Sequence, residues 1–120
     1  MARILTVDDS PSMRQMVSVA LRQAGHDVAS ASDGVEALKI AGDERFDLVI
    51  TDVNMPNMDG IALVRELRCL PGYEFTPLLV LTTEATAERK QQGRDAGATG
   101  WLVKPFNPDR LIATVARVLA

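Results

Sequence analysis

A chain of 120 residues, 47% hydrophobic and 24% charged, is long enough for one globular domain with its own core and too short for two. Its 13 basic and 16 acidic residues (net −3) form no basic run, which argues against nucleic acid as a direct partner. No apolar stretch approaches a bilayer span, no signal peptide opens the chain, and a single cysteine, Cys69, excludes an internal disulfide, so the expected setting is the reducing cytoplasm without membrane insertion.

The first β-rich run, RILTV (3–7), leads through Asp8-Asp9 into a helical segment, SPSMRQMVSVALRQAG (10–25). Ser10 can cap this helix, Pro11 suits its first position, and Gly25 can end it in a left-handed turn. Met13, Met16, Val17, Ala20, Leu21 and Ala24 recur at the spacing of one buried face. His26 reads as a loop residue before a second strand, DVASA (27–31). A helical segment over 33–41 follows, with Val35 and Leu38 turned inward. The third strand, DLVIT (47–51), ends on Asp52, and VNMPNMDG then supplies turn chemistry and a helix start at Asp59-Gly60. Over 60–69, Ile61, Val64 and Leu67 face inward, and Cys69 closes the helix in an expected packing role.

PLLVLT (77–82) is the fourth strand, followed by Thr83 and EATAERKQQGRDAGA (84–98). That segment carries few large apolar residues and holds Gly93, so it is expected to be the least firmly packed helix and a candidate for movement. GWLVK (100–104) is the fifth strand. The last helix has Asn107 as cap, Pro108 at its first position, and Leu111, Val115, Val118 and Leu119 on one side. Alternating β and α elements predict an α/β fold, a five-stranded parallel sheet wound with helices on both faces. The continuous apolar third and fourth strands suit a sheet covered on both sides.

In such sheets the ligand site lies beyond the carboxyl ends of the strands. There the sequence delivers Asp8 and Asp9 after the first strand, Asp52 after the third, Thr82, Thr83 and Glu84 at the fourth, and Lys104-Pro105 at the fifth. Taken singly, each has an ordinary reading: Asp8 and Asp9 as helix-start acids, Asp52 as a turn former, Lys104 as a solvated lysine. Their conjunction points to a site. Two carboxylates about 4 Å apart repel by roughly 4 kcal/mol in a surface-like dielectric, so positive charge must offset them. Lys104 supplies one charge; Mg²⁺, which takes oxygen ligands and keeps several waters, suits the remainder.

Asp8-Asp9, Asp52 within DVNMPNMDG, Thr82 after the fourth strand and KPF at 104–106 together resemble the receiver domain of two-component response regulators, over the whole chain and with every motif in order. The stand-alone chemotaxis members are the nearest in kind. The resemblance implies a flavodoxin-like (βα)5 fold with strand order 2-1-3-4-5 and a single receiver domain over 1–120 without an output domain. It implies Asp52 as phosphoacceptor from a histidine kinase of the CheA type, with Thr82 and Lys104 binding the transferred phosphoryl group. Mg²⁺ would be held by Asp9, Asp52 and the backbone carbonyl of Asn54, with Asp8 assisting partly through water. Asn54 and Glu84, two residues past Asp52 and Thr82, would tune dephosphorylation, and Lys104-Pro105 would be cis. Trp101 takes the position of a switching aromatic, usually smaller; it needs room and a partner for its indole N–H, and a fixed role is the alternative. Thr83 is bulkier than the family's usual alanine or glycine and could narrow access.

The implied function is a phosphorylation switch, a monomer that is no enzyme beyond its own phosphorylation and dephosphorylation, with a flagellar motor switch protein or a phosphatase as possible partners. A phosphate sink or phosphorelay shuttle would use the same chemistry. A haloacid-dehalogenase-type phosphatase fits poorly, because Asn54 stands where that chemistry needs a second acid. A flavodoxin-like cofactor binder fits less well still, since no glycine-rich cradle follows the first strand.

Overall fold

The computed structural model describes residues 1–120. Five strands and five helices alternate along the chain: β1 (Arg3–Val7), α1 (Pro11–Gln23), β2 (Asp27–Ala31), α2 (Gly34–Asp43), β3 (Leu48–Thr51), α3 (Gly60–Cys69), β4 (Leu78–Thr82), α4 (Ala87–Ala96), β5 (Gly100–Val103) and α5 (Pro108–Leu119). The strands are all parallel, in the order β2-β1-β3-β4-β5. Asp47, Pro77 and Lys104 fall just outside the strands, and the fourth helix begins at Ala87 rather than Glu84.

Register decides where the strand ends fall. Val7 lies beside Thr51, Thr51 beside Val80, and Thr82 beside Val103. Asp8, Asp52 and Lys104 therefore leave the sheet at one edge. Two backbone bonds extend this alignment past the strands: Asp52 N–H donates to the Val7 carbonyl (2.9 Å), and Lys104 N–H to that of Thr82 (2.8 Å).

Two apolar clusters sandwich the sheet. One joins Leu5, Val7, Val49 and Val80 to Ala37, Ile61, Val64 and Leu67 of α2 and α3; the other joins Ile4, Ile50, Leu79 and Leu81 to Val17, Leu21, Leu111 and Val115 of α1 and α5. Every residue of β3 and β4 is buried, as their unbroken apolar runs predict. Capping also follows the sequence. Ser10 Oγ accepts from Met13 N–H, and Asn107 Oδ1 accepts from Asp109 and Arg110 N–H, with a proline opening each of these helices. Gly25 follows α1 in the left-handed region (φ 93°).

Several inward-facing expectations are overturned. Met16 is 54% exposed, because the buried arc of α1 runs through Ala20, Val17, Leu21 and Ser18 and turns Met16 onto the solvent flank. Ala24 caps the exposed end of that helix. Val35 is 53% exposed: α2 buries Gly34, Ala37 and Ala41, whose small side chains bring its axis close to its neighbours and leave Val35 outside. Cys69 is exposed rather than packed. His26 is a loop residue, yet its Nδ1 accepts the Ala2 N–H (3.2 Å) and so anchors the entry to β1.

The fourth helix buries only Gly93 and Ala96. Its C-terminal end is held by Arg68 of α3, which donates to the Gly97 carbonyl through Nε (3.1 Å) and Nη2 (2.7 Å), and through Nη1 to the carbonyls of Tyr73 (2.7 Å) and Thr76 (2.7 Å). Burial draws the Arg68 guanidinium below the usual arginine value, and no carboxylate pairs with it, so backbone carbonyls are its hydrogen-bond partners within the protein. Arg68→Met should lower stability by about 2–3 kcal/mol, the scale of lost charge-assisted hydrogen bonds, in urea unfolding. Arg68→Lys should recover only part of it, because one ammonium cannot reproduce the planar fork.

Candidate functional site

At the carboxyl edge of the sheet, Asp8 is buried and every polar group it carries is engaged. Its N–H donates to the Ala31 carbonyl (3.2 Å), its carbonyl accepts from Arg14 Nη1 (2.6 Å), Oδ1 accepts from Ser10 N–H (2.9 Å), and Oδ2 accepts from Lys104 Nζ (2.7 Å). Asp52 is 8% exposed. Its Oδ1 accepts from Val53 N–H (2.6 Å) and its Oδ2 from the same Lys104 Nζ (3.0 Å). One ammonium thus bridges two buried carboxylates. Burial alone would push Lys104 down, but the carboxylates of Asp8 and Asp52 more than reverse this and hold it above the ordinary lysine value.

Asp9 completes the group from the solvent side. It is exposed, and one carboxylate oxygen from each of Asp8, Asp9 and Asp52 lies within 4.8 Å of the others. Three acids against one lysine leave excess negative charge, and the donors are oxygen only. That set fits a hard divalent cation such as Mg²⁺. Asn54 sits in the exposed loop after Asp52.

Thr82 at the end of β4 is fully buried, and its Oγ1 accepts from Glu84 N–H (3.3 Å). The carbonyl of Glu84 in turn accepts from the indole N–H of Trp101 (2.8 Å). The indole therefore has the polar partner a half-buried tryptophan needs, and one residue, Glu84, links the two residues expected to switch through its N–H and its carbonyl. Room for the ring comes from Gly93, where any Cβ would stand 2.7 Å from it. Thr83 is exposed beside Thr82, and the Lys104-Pro105 bond is cis, as the resemblance implied.

Two contributions go beyond the motif reading. Arg14 holds the backbone of the acidic loop at Asp8, but an arginine on the first turns of a helix carries no signal of where it reaches. Gly60 lies so close to the Asp52 carbonyl that no side chain fits there. Its signal is the Asp-Gly pair, in which Asp59 Oδ1 also caps α3 by accepting from Ala62 N–H (2.8 Å).

The model of the response regulator receiver domain family matches residues 4–116, and the chain belongs to that family. Among solved structures, the chemotaxis protein CheY4 of Vibrio cholerae is 56% identical, with a TM-score of 0.95 and 98% of each chain covered. The receiver domain of a sensor histidine kinase from Pseudomonas aeruginosa, solved with a magnesium ion coordinated in its active site cleft, is 29% identical with a TM-score of 0.91, covering 98% of this chain and 97% of that one. A DNA-binding dual master transcriptional regulator, RpaA of Synechocystis sp., is 36% identical over 119 residues, 99% of this chain and 49% of that protein. The chain spans about half the length, or less, of the curated relatives it matches. No helix is long and apolar enough to cross a membrane.

Removing one carboxylate relieves the repulsion, and an amide can still accept from Val53 N–H. Asp52→Asn should therefore raise the metal-free melting temperature, by about 3–6 °C for each kcal/mol relieved; an unchanged or lower value would contradict the clustered charge. Because the folded-state pKa of Lys104 is raised, its stabilising contribution is complete below 10.5 and is lost as pH climbs through the folded value. The urea midpoint of the wild type should fall above that pH, and Lys104→Met should lack this alkaline component.

Proposed function

We propose that the protein is a phosphorylation-dependent switch of a two-component system, in which Asp52 accepts a phosphoryl group from the phosphohistidine of a kinase. The observation that carries this is the shared ammonium. Lys104 bridges the Asp8 and Asp52 carboxylates side by side while Asp9 is exposed beside them. Phosphoryl transfer asks a protein mainly for positioning and charge neutralisation, and this edge offers both.

An oxygen of Asp52 forms the new P–O bond as the P–N bond of the donor breaks and the imidazole leaves. The nucleophile is oriented by Val53 N–H and Lys104. Asp9, Asp52 and the Asn54 carbonyl, with Asp8 assisting through water, would hold Mg²⁺, which when bound neutralises charge on the phosphoryl oxygens. Lys104 pairs with the phosphoryl group after transfer. Thr82 turns its hydroxyl to the same group, which releases the Glu84 N–H. The backbone at Glu84 then shifts and its carbonyl alters its bond to Trp101, so the change reaches α4, the helix with the fewest buried side chains. Asn54 and Glu84 border the phosphoryl position and tune its hydrolysis. The protein acts on no other substrate.

The output surface on this reading is the face of α4, β5 and α5. An open groove of about 410 Å³ there is floored by Trp101, Val103 and Phe106 and flanked by Lys90 and Arg110, a setting for a partner segment carrying apolar and acidic side chains. Chemotaxis is the pathway we favour, with a CheA-type kinase upstream and a flagellar motor switch protein downstream. The 56% identity to a chemotaxis protein over 98% of both chains supports it.

Incubation with acetyl phosphate and Mg²⁺, followed by rapid quenching and intact mass measurement, should give a single phosphoryl gain that disappears with EDTA and in Asp52→Asn. Trp101, the sole tryptophan, should change its emission in step with that gain. No gain under conditions that label a known receiver would refute the proposal. A gain that leaves binding to a motor switch protein unchanged would favour a phosphate sink or shuttle.

A further inference from the structure

The loop that carries Asn54 from Asp52 to α3 is anchored at its two ends by its own backbone. Val53 N–H donates to the Asp52 carboxylate, and Gly60 N–H to the Val53 carbonyl. Between these points Met58 N–H donates to the Pro56 carbonyl, and the Thr51 hydroxyl meets the Met55 sulfur at 3.9 Å. All of these bonds are local. The hydrogen bond that ties the middle of the loop to an element distant in the sequence comes from Asn57, whose Nδ2 donates to Asp33 Oδ2 (2.9 Å) at the start of α2. Asn57 reaches that position with φ 69°, in the left-handed region that asparagine tolerates better than most residues.

Asp33 makes two bonds with two oxygens. Its Oδ1 accepts from Glu36 N–H (2.8 Å) and caps α2, which leaves Oδ2 for Asn57. Beside this bond the loop also lies directly on α2: a Cβ at Gly34 would stand 2.8 Å from both the Met58 carbonyl oxygen and the Met58 Cβ. The carboxyl of Asp33 is held below its ordinary value, first by the Glu36 N–H and then by the Asn57 amide, so it stays an ionised acceptor at neutral pH.

We propose that Asp33 and Asn57 form a latch that holds the 53–59 loop in place, making both of them positioning residues for the metal-binding geometry at Asp52. The inference rests on the receiver reading above, in which the Asn54 carbonyl is a ligand. A backbone carbonyl can be aimed only by fixing its loop, and a loop fixed in advance loses less conformational freedom when a cation binds. The latch does this from α2, at a distance from the acids themselves.

The test is Mg²⁺ binding by the unphosphorylated full chain, followed by calorimetric titration and by the Mg²⁺-induced shift in melting temperature. Asp33→Ser keeps a capping hydroxyl for α2 but cannot reach Asn57; Asn57→Gly keeps the left-handed backbone but loses the amide. Each should weaken Mg²⁺ binding by about three- to tenfold, the scale of one net hydrogen bond, with the fold retained by circular dichroism. The double variant should be no worse than either single one. In acetyl phosphate labelling the half-saturating Mg²⁺ concentration should rise while the rate at saturating Mg²⁺ holds, a split that general destabilisation would not produce. Unchanged affinity in folded Asp33→Ser and Asn57→Gly would overturn the latch and leave the receiver reading standing. A wild-type chain that binds no Mg²⁺ would overturn both.

Discussion

The architecture of this protein turns on one ammonium set between two buried carboxylates. Lys104 Nζ lies 2.7 Å from Asp8 and 3.0 Å from Asp52, and without it two like charges would sit unpaired at the edge of a low-dielectric core. The arrangement needs β1, β3 and β5 to end at one level, which the parallel register provides. It also needs the chain to turn sharply after each strand, which is the task of the Ser10 cap, the approach of Gly60 to the Asp52 carbonyl, and the Lys104-Pro105 turn. Packing and electrostatics are coupled here: the sheet that buries the core also concentrates charge that the core could not tolerate unpaired.

Asp8 and Asp9 divide the work although they are adjacent. Asp8 is consumed by structure, with its N–H, its carbonyl and both carboxylate oxygens engaged, whereas Asp9 stands exposed. Both residues lie past the end of β1, where the chain bends toward α1, and there the bonds from Lys104 and Ser10 N–H hold Asp8 inward. One acid turns inward to Lys104 and its neighbour turns out, where a hydrated cation can be reached.

Away from the acids, the fold spends its packing unevenly. β3 and β4 are buried throughout, while α4 rests on Gly93 and Ala96 and is held at its far end by Arg68. An element with little buried apolar area and one firm anchor can be displaced at modest cost. The Thr82–Glu84–Trp101 chain of hydrogen bonds runs from the acidic edge toward that element. A tightly bonded acidic edge and a sparsely packed helix thus share one short loop.

By itself the sequence determined the order of the elements, their parallel arrangement, the caps at Ser10, Asn107 and Asp59-Gly60, and the strand-end residues Asp8, Asp9, Asp52, Thr82 and Lys104. These are legible because period, capping chemistry and strand-end position are local properties of the chain. Tertiary structure alone decided that Asp8 rather than Asp9 is buried on Lys104, that Met16 and Val35 face solvent, that Arg14 reaches the Asp8 carbonyl, and that Trp101 finds its acceptor in Glu84 and its space in Gly93. The same holds for the pairing of Asp33 with Asn57. Each of these depends on where a side chain meets an element distant in sequence or on how far a helix rotates as it packs. Neither leaves a periodic trace, because the partner is chosen by the fold and not by its neighbours along the chain.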